Sequence, residues 1–326
     1  MKPIKKLVGQ HIQHMRIIQA GAEIRTTPEP DPADLAFMAR QLVQATLPHT
    51  APKGQPPEWV RRNGNLILAI RPGYKTDRST GRRVCIGYPY GTVPRLLLFW
   101  ITTEALRTRS PRLELGASLH GFMEALGLNP DNGSTGAKRS DAGRLRVQME
   151  RLFRATISFE IANAQSQRWL DMQIAPEGEL WWDFHDPAQQ GLWRSWIELN
   201  HRFFEAITNA PVPVDMRVLK ALKRSPLALD LYAFVSYRAF VATQSGRAQF
   251  VTWEQLMEQL GTDYANVADF RRKAKVALRK IKAVFPGLIL GDKQGGIQIL
   301  PGASAVPPKR SRRKAKPAGD QSSYQG

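Results

Sequence analysis

The sequence predicts an α+β fold built from tandem winged-helix domains, and two observations support this prediction. The same order of elements occurs twice: an apolar helix, a short helix, a basic helix with one apolar stripe, and a β-hairpin. The two short helices, at 119–127 and 253–261, align at an offset of 134 residues and share Met, Glu, Leu and Gly. A helix-turn-helix followed by a hairpin is the element order of a winged helix, and two copies on a basic chain are typical of a reader of double-stranded DNA.

Composition indicates a polyanionic partner. The chain has 326 residues, enough for two or three domains, and 47 Lys and Arg against 28 Asp and Glu give it a net charge of +19. Residues 307–326 contain six of these cations and one acid, so the remainder still carries +14. Such an excess favours nucleic acid as the partner, the alternative being a basic surface that only resists aggregation.

Cysteine content and hydropathy point to a cytoplasmic protein. The single cysteine, Cys85, excludes an internal disulfide and a zinc site with several Cys ligands. The longest wholly apolar run, 96–101, is much shorter than the roughly 20 residues of a membrane span, and no apolar segment follows the basic N-terminus. We therefore expect a cytoplasmic, nucleoid- or plasmid-associated protein with no membrane partner.

The first half of the chain is divided into an extension and one domain. Residues 1–57 are predicted to be a partly disordered N-terminal extension with one helix near 35–47, capped by Asp34. Residues 58–195 are predicted to be the first winged-helix domain, preceded by a hairpin with strands at 65–70 and 83–88. Further elements are expected as helices at 92–107, 117–126 and 140–155 and strands at 157–161, 169–174 and 179–184.

The second half has clearer local signals. Residues 196–302 are predicted to be the second winged-helix domain, and 303–326 a disordered basic tail. Ser225-Pro226 starts one helix, the capping-box spacing of Thr252 and Gln255 starts the next, and Pro286-Gly287 ends the last. The expected elements are a strand at 196–199, helices at 201–207, 215–221, 226–241, 252–261 and 267–285, and strands at 288–290 and 296–300.

The basic helix of the second repeat is the strongest candidate for DNA contact. Its apolar residues between Phe270 and Phe285 fall on one face at helical spacing, with cations on the opposite face. No acid lies between Phe270 and Leu290, whereas a helix stabilised for solvent alone normally alternates Glu with Lys. The residues predicted to contact DNA are Arg271, Arg272, Lys275, Arg279 and Lys282.

The basic helix of the first repeat follows the same pattern less purely. Leu145, Met149, Leu152 and Phe153 define its buried stripe. Arg pairs well with guanine and Gln with adenine, and further cations hold phosphate. The residues predicted to contact DNA are Lys138, Arg139, Arg144, Arg146, Gln148, Arg151 and Arg154. A solvated basic face is the alternative for both helices.

No pattern predicts catalysis, and we expect a protein that is not an enzyme and needs no cofactor or metal. The six His are scattered, and no cluster of carboxylates suggests two-metal chemistry. Gly133–Lys138 is not the P-loop of a nucleotide-binding protein, because Ala137 stands where the P-loop needs Gly before the Lys. This loop either approaches DNA phosphate or is a plain solvent loop. The Trp181-Trp182 pair is interpreted as packing, and His185-Asp186 as a chance pair.

Four stretches resemble plasmid replication initiators of the RepA type, known from broad-host-range plasmids of Gram-negative bacteria. They are Tyr88-Pro-Tyr-Gly-Thr-Val-Pro-Arg-Leu-Leu-Leu98, 144–153, Val212-Pro-Val-Asp215 and Ser225-Pro-Leu-Ala-Leu-Asp-Leu-Tyr232. The resemblance implies binding to directly repeated origin sites, opening of an adjacent A·T-rich region, and recruitment of the host initiator and replicative helicase. It also implies a role in copy-number control, and homodimers that repress their own promoter.

Two other functions remain open from the residues alone. A winged-helix transcriptional regulator or autorepressor would use the same reading helices, and an inverted repeat at a promoter would favour it over tandem repeats at an origin. A rolling-circle nickase is a further alternative, and it predicts a covalent protein–DNA adduct. Two readers in one chain without an added effector domain favour the initiator over the regulator, and the sequence lacks the His and Tyr arrangements typical of a nickase.

Overall fold

The computed structural model describes residues 2–130, 140–162, 165–180, 195–261 and 264–306. Within these ranges it is a mixed α and β protein whose strands form five small antiparallel sheets. Buried apolar side chains from both halves of the chain join in one continuous core. None of the helices in the described part is long and apolar enough to cross a membrane.

The N-terminal segment is more regular than the sequence predicts. Helix α1 spans Lys2–Thr26, strand β1 spans Leu35–Met38, and helix α2 covers only Arg40–Gln44. The predicted helix over 35–47 is therefore wrong in its first half. The apolar run at 35–38 fits either a strand or a helix by pattern, and pairing with a distant strand decides in favour of β structure.

Four strands precede the first repeat: β2 (Trp59–Asn63), β3 (Leu66–Arg71), β4 (Gly73–Thr76) and β5 (Arg83–Gly87). The sequence predicted β3 and β5 but not β2 and β4. β2 is an edge strand, and three of the four residues of β4 are exposed, so neither has a strong apolar signal. The predicted hairpin of 65–70 with 83–88 is wrong, because β3 pairs with β2 and β7, whereas among the described residues β5 pairs with β4 alone.

The first repeat has its three helices where the sequence places them. Ser118 and Ser140 cap the second and third, each accepting a hydrogen bond from the backbone amide three residues later. The elements are α3 (Thr92–Thr108), β6 (Arg112–Glu114), α4 (Leu119–Ala125), α5 (Asp141–Arg154), β7 (Thr156–Ala162), β8 (Gln167–Gln173) and β9 (Glu177–Glu179).

The second half has its predicted elements in order, together with two strands at 212–215 and 249–252 that were not predicted, and the Thr252–Gln255 capping box is present. It begins with β10 (Trp196–Glu198), α6 (His201–Thr208), β11 (Val212–Asp215), α7 (Met216–Leu222) and α8 (Pro226–Ser245). It continues with β12 (Gln249–Thr252), α9 (Trp253–Leu260), α10 (Val267–Val284), β13 (Leu290–Gly291) and β14 (Gly296–Ile299).

Strand pairing distinguishes the two repeats, although their helices match. In the second repeat, β12, β14 and β13 form one three-stranded sheet in that order. In the first repeat, β7 and β8 join the earlier hairpin in the sheet β2-β3-β7-β8, while β6 pairs with β10. The first repeat therefore shares its strands with segments outside the repeat.

The predicted N-terminal extension packs on the second half of the chain. β1 pairs antiparallel with β11, and α1 lies against α10 and α7. Ile17 and Ile24 of α1 are buried, and a Cβ atom on Gly21 would lie 2.3 Å from the Ala283 carbonyl oxygen. Two buried isoleucines seven residues apart lie on one face of a helix, a spacing that the prediction of a partly disordered extension did not take into account.

A buried polar junction joins the two halves. Arg95 of α3 is 2% exposed, and its guanidinium forms a bidentate ion pair with Asp230 of α8 at 2.7 and 2.8 Å. The Asp230 carboxylate also lies 2.9 Å from His49 Nε2, and Arg95 donates to the carbonyls of Leu47 and Pro48. Three segments distant in sequence thus meet at one ion pair.

A second polar contact also joins the halves. Lys223, at the end of α7, donates to the carbonyl oxygen of Gly127, which follows α4. Burial lowers the pKa of Lys223, and nearby Asp141 partly opposes that effect. The turn that follows α4 is therefore fixed to the turn between α7 and α8.

Candidate nucleic-acid interface

Helix α10 presents a basic face opposite its buried face. Asn266 caps it, its side-chain oxygen accepting the Asp269 amide at 2.9 Å. The stripe predicted from spacing is buried, namely Phe270, Ala274, Ala277, Leu278, Ile281 and Val284. The predicted contact residues on the other side are exposed, namely Arg271, Arg272, Lys275, Arg279 and Lys282.

A groove of about 530 Å³ runs between α10 and the β13–β14 hairpin. Four cations of α10 line one wall, and residues 291–296 line the other. Lys293 adds a fifth cation, with its Nζ 4.2 Å from the Phe250 ring centroid, and Asp292 is the one acid among the lining residues. The groove thus brings five cations together against one acid, and cationic side chains of this kind hold phosphate.

Among the described residues, carboxylates compensate little of the positive charge on α10. Arg272 pairs with Asp269 one turn earlier, and its side chain stays 69% exposed. Within the described ranges, no carboxylate forms an ion pair with Arg271, Lys275, Arg279 or Lys282. Seven cations on one helix repel one another, so an external anion would stabilise this face.

Helix α5 has a smaller basic face. Asp141 in its first turn accepts the Asn129 amide at 3.1 Å and pairs with Arg144. Asp141 also suits the positive end of the helix dipole. Arg144, Arg146 and Arg154 are exposed, as predicted from the position of the buried stripe.

Gln148 corrects the sequence prediction. Its side chain is 7% exposed, and its Oε1 accepts the Tyr90 amide at 2.9 Å, so it does not face solvent as a base-reading residue must. Gln148 lies beside the buried stripe, and the segment before α3 covers it. Periodicity alone does not reveal such a covering segment.

Arg151 is half-buried and held by the same covering segment. Its Nε donates to the Ile86 carbonyl at 2.7 Å, and its guanidinium carbon lies 5.4 Å from the Tyr90 ring centroid. Arg151 therefore ties α5 to the end of β5, a structural task that the sequence did not predict. The same side chain has less freedom to reach DNA than Arg144 or Arg154.

Several predicted residues lie outside the described ranges. They are Lys138 and Arg139, the rest of the Gly133–Lys138 loop, the Trp181-Trp182 and His185-Asp186 pairs, and the basic tail at 309–316.

Two features of this side of the molecule were missed at the sequence level. One is the Arg95–Asp230 junction, whose signal is a charged residue within the most apolar stretch of each of two helices. The other is the exposed β4–β5 hairpin beside α5, with cations at Lys75, Arg78, Arg82 and Arg83. Among the described residues, no group of three or more His, Cys, Asp or Glu side chains is placed to hold a metal ion.

Comparison with known proteins identifies the family. The family model described as "Plasmid encoded RepA protein" matches residues 88–255, just over half of the chain. Among solved structures, domains 2–3 of RctB (residues 155–483) align at a TM-score of 0.44 and 10% identity, covering 79% of this chain and 94% of that chain. No curated protein sequence matches the chain. On the extent of the family match, this chain belongs to the family of plasmid-encoded RepA proteins.

Proposed function

We propose that this protein is a plasmid replication initiator that binds repeated origin sites in double-stranded DNA and acts without catalysis. Its family membership supports the initiator role. DNA binding is supported by the face of α10, where cations that pair with no carboxylate of the described residues line a groove against a hairpin. A polyanion with regularly spaced charges matches this surface.

The second repeat is proposed to be a winged helix. Its elements follow the order α8, β12, α9, α10, β13 and β14, and its three strands form one sheet. In this interpretation α10 enters the major groove, and the β13–β14 hairpin lies over the adjacent backbone. The cationic groove between them then receives a phosphate strand.

The first repeat is proposed to read DNA through α5. Arg144 and Arg146 are its candidates for base contact, and Arg154 is a candidate for phosphate contact. Its hairpin β7–β8 is supported by β3 rather than by a strand of the same repeat, so this unit departs from the winged-helix sheet. Two reading helices on one chain would cover successive grooves, a site of about 20 base pairs.

Steps after binding follow from the family resemblance and are part of the proposal. They are opening of an A·T-rich region, recruitment of the host initiator and replicative helicase, and repression of the protein's own promoter as a homodimer. With six to ten phosphate contacts, affinity would fall about 10³- to 10⁵-fold between 50 and 200 mM salt.

The test combines binding with replication. The full chain is used to select duplexes from randomised DNA, the recovered site is located on the parent plasmid, and an origin-only plasmid is supplied with the protein in trans. We expect tandem direct repeats at that origin and replication that depends on the protein. Repression of a promoter without replication would instead support a regulator, and a covalent adduct on supercoiled origin DNA would support a nickase.

A matched pair of variants tests the helix assignment. Arg272→Ala/Arg279→Ala removes two charges from α10, and Arg40→Ala/Arg202→Ala removes two exposed charges from α2 and α6. Only the first pair should lose affinity for the selected duplex, by at least tenfold at 150 mM salt. Equal affinity of both variants would contradict the role proposed for α10.

A further inference from the structure

The β4–β5 hairpin is exposed over most of its length. β4 buries only Gly73, and Tyr74, Val84 and Cys85 are all exposed. Two strands without a third are marginally stable in water, so the ordered form of this hairpin needs another source of support. It is supported at its tip and at its base.

At the tip, a single carboxylate organises the turn. Asp77 Oδ1 accepts the Ser79 amide at 2.8 Å, the Ser79 hydroxyl at 2.5 Å and the Thr80 amide at 3.2 Å. The hydrogen bond from the Ser79 hydroxyl, with those from the Ser79 and Thr80 amides, lowers the pKa of Asp77. Gly81 follows with φ +69°, a conformation that suits glycine.

At the base, three contacts attach the hairpin to α5. Lys75 Nζ lies 3.0 Å from Glu150, and Arg151 Nε donates to the Ile86 carbonyl. Gly73 lies so close to Arg154 that a Cβ atom there would be 2.5 Å from the Arg154 Cβ. The direction of the hairpin is therefore fixed relative to the basic face of α5.

Charge is concentrated at the far end of the hairpin. Residues 73–87 contain four cations and one acid, and the Lys75–Glu150 pair neutralises the base. Arg78, Arg82 and Arg83 are exposed, and no carboxylate of the described residues forms an ion pair with them. Arginines held on a rigid turn lose less freedom on binding an anion than arginines on a mobile loop.

We propose that the β4–β5 hairpin is a third DNA-contacting element, whose Arg78, Arg82 and Arg83 bind phosphates beside the groove occupied by α5. At about 3.3 Å per residue, Arg78 extends about 17 Å beyond Gly73, or about five base pairs along the duplex. The contacts carry no base specificity, because they reach the backbone. The proposal rests on the proposed function, since α5 must lie on DNA for the hairpin to reach it.

The test uses Arg78→Ala/Arg82→Ala/Arg83→Ala in the full chain, with Arg40→Ala/Arg202→Ala/Arg247→Ala as a charge-matched control at exposed sites elsewhere. The probe is the selected duplex with about one helical turn of flanking sequence on each side. Loss of three phosphate contacts makes the salt slope less negative by about 2.7. Between 50 and 200 mM salt, the fold-decrease in affinity of the wild type should therefore be about 40 times that of the hairpin variant.

A footprint and a shortened probe locate the effect. The hairpin variant should lose hydroxyl-radical protection at one flank while keeping it over the centre of the site. On a duplex trimmed at that flank, wild type and variant should bind equally. The triple Arg→Lys variant should restore most of the salt slope, because Lys also holds phosphate.

The outcomes separate this proposal from the function on which it rests. If the wild type selects no duplex, the proposed function fails. If it selects a site but the hairpin variant keeps the same salt slope and footprint, the hairpin proposal alone is overturned. Unchanged DNA binding with lost replication would likewise overturn it, and would show that the hairpin contacts a protein.

Discussion

Replacing Arg95 with methionine tests how much the buried junction between the two halves stabilises the fold. Arg95→Met keeps the apolar stem but removes both hydrogen bonds to Asp230, which is 7% exposed. It also removes the donors to the carbonyls of Leu47, Pro48 and Gly91. Asp230 is then left as a buried charge beside His49.

The expected cost is about 4 kcal/mol. Breaking a buried ion pair by removing one partner costs about 3–5 kcal/mol, mainly because the other charge remains buried. For a chain of this size the midpoint of thermal unfolding should fall by roughly 6 °C. Circular dichroism or calorimetry measures this shift, and a double change, Arg95→Met/Asp230→Leu, should recover most of it because no charge is then left unpaired.

The pH dependence gives a second measure of the same junction. Burial alone would raise the pKa of Asp230, but Arg95 and the hydrogen bonds from His49 and Arg95 outweigh it and hold the pKa below its ordinary value. The carboxylate therefore contributes stability above its unfolded pKa, and this contribution is lost as pH falls towards the folded pKa. The destabilisation by Arg95→Met should shrink as pH falls, since a protonated Asp230 needs no cation.

The reasoning would be refuted if Arg95→Met lowered stability by less than about 1 kcal/mol at neutral pH, the range of an exposed pair. Additive effects of the two single changes, Arg95→Met and Asp230→Leu, would refute it as well. Additivity would mean that the two residues do not depend on each other.

Three further predictions follow from individual contacts. Gln148→Ala should cost about 1–3 kcal/mol of stability, since the Tyr90 amide loses its acceptor, while DNA affinity of the folded protein stays at the wild-type value in a fluorescence titration. Leu278→Ala should cost about 2–5 kcal/mol in urea unfolding, because the side chain lies on the buried face of α10. Gly21→Ala should lower the melting temperature, because the added Cβ would clash with the Ala283 carbonyl oxygen. Alanine alone would favour an isolated helix by about 1 kcal/mol. A raised melting temperature would therefore show that α1 does not pack against α10 at this position.

Local signals made the second half of the chain predictable. Ser225-Pro226 and the Thr252–Gln255 capping box mark the starts of α8 and α9 within a residue or two. The stripe of α10 places its exposed cations correctly, because burial on one face of a long helix follows from spacing. These features depend on residues within one or two turns of each other.

Features that depend on distant residues were not predictable. Leu35–Met38 becomes a strand because Val212–Asp215 lies beside it, and the strand pairing of the first repeat depends on the hairpin that precedes it. Gln148 is covered by the segment around Tyr90, which no helical periodicity includes. The Arg95–Asp230 pair joins residues 135 positions apart, and each alone looks like a polar exception in an apolar helix.

The most direct test of the central claim, that the exposed face of α10 lies in a DNA groove, uses a tethered cleavage reagent. Cys85 is the only cysteine, so Cys85→Ser/Lys275→Cys provides one thiol on α10 for an iron chelate, and Cys85→Ser/Arg202→Cys provides a control on α6. With the selected duplex bound, the α10 conjugate should cut both strands within the protected site, and the control should not. A protein that protects the site while its α10 conjugate leaves that DNA uncut would contradict the account.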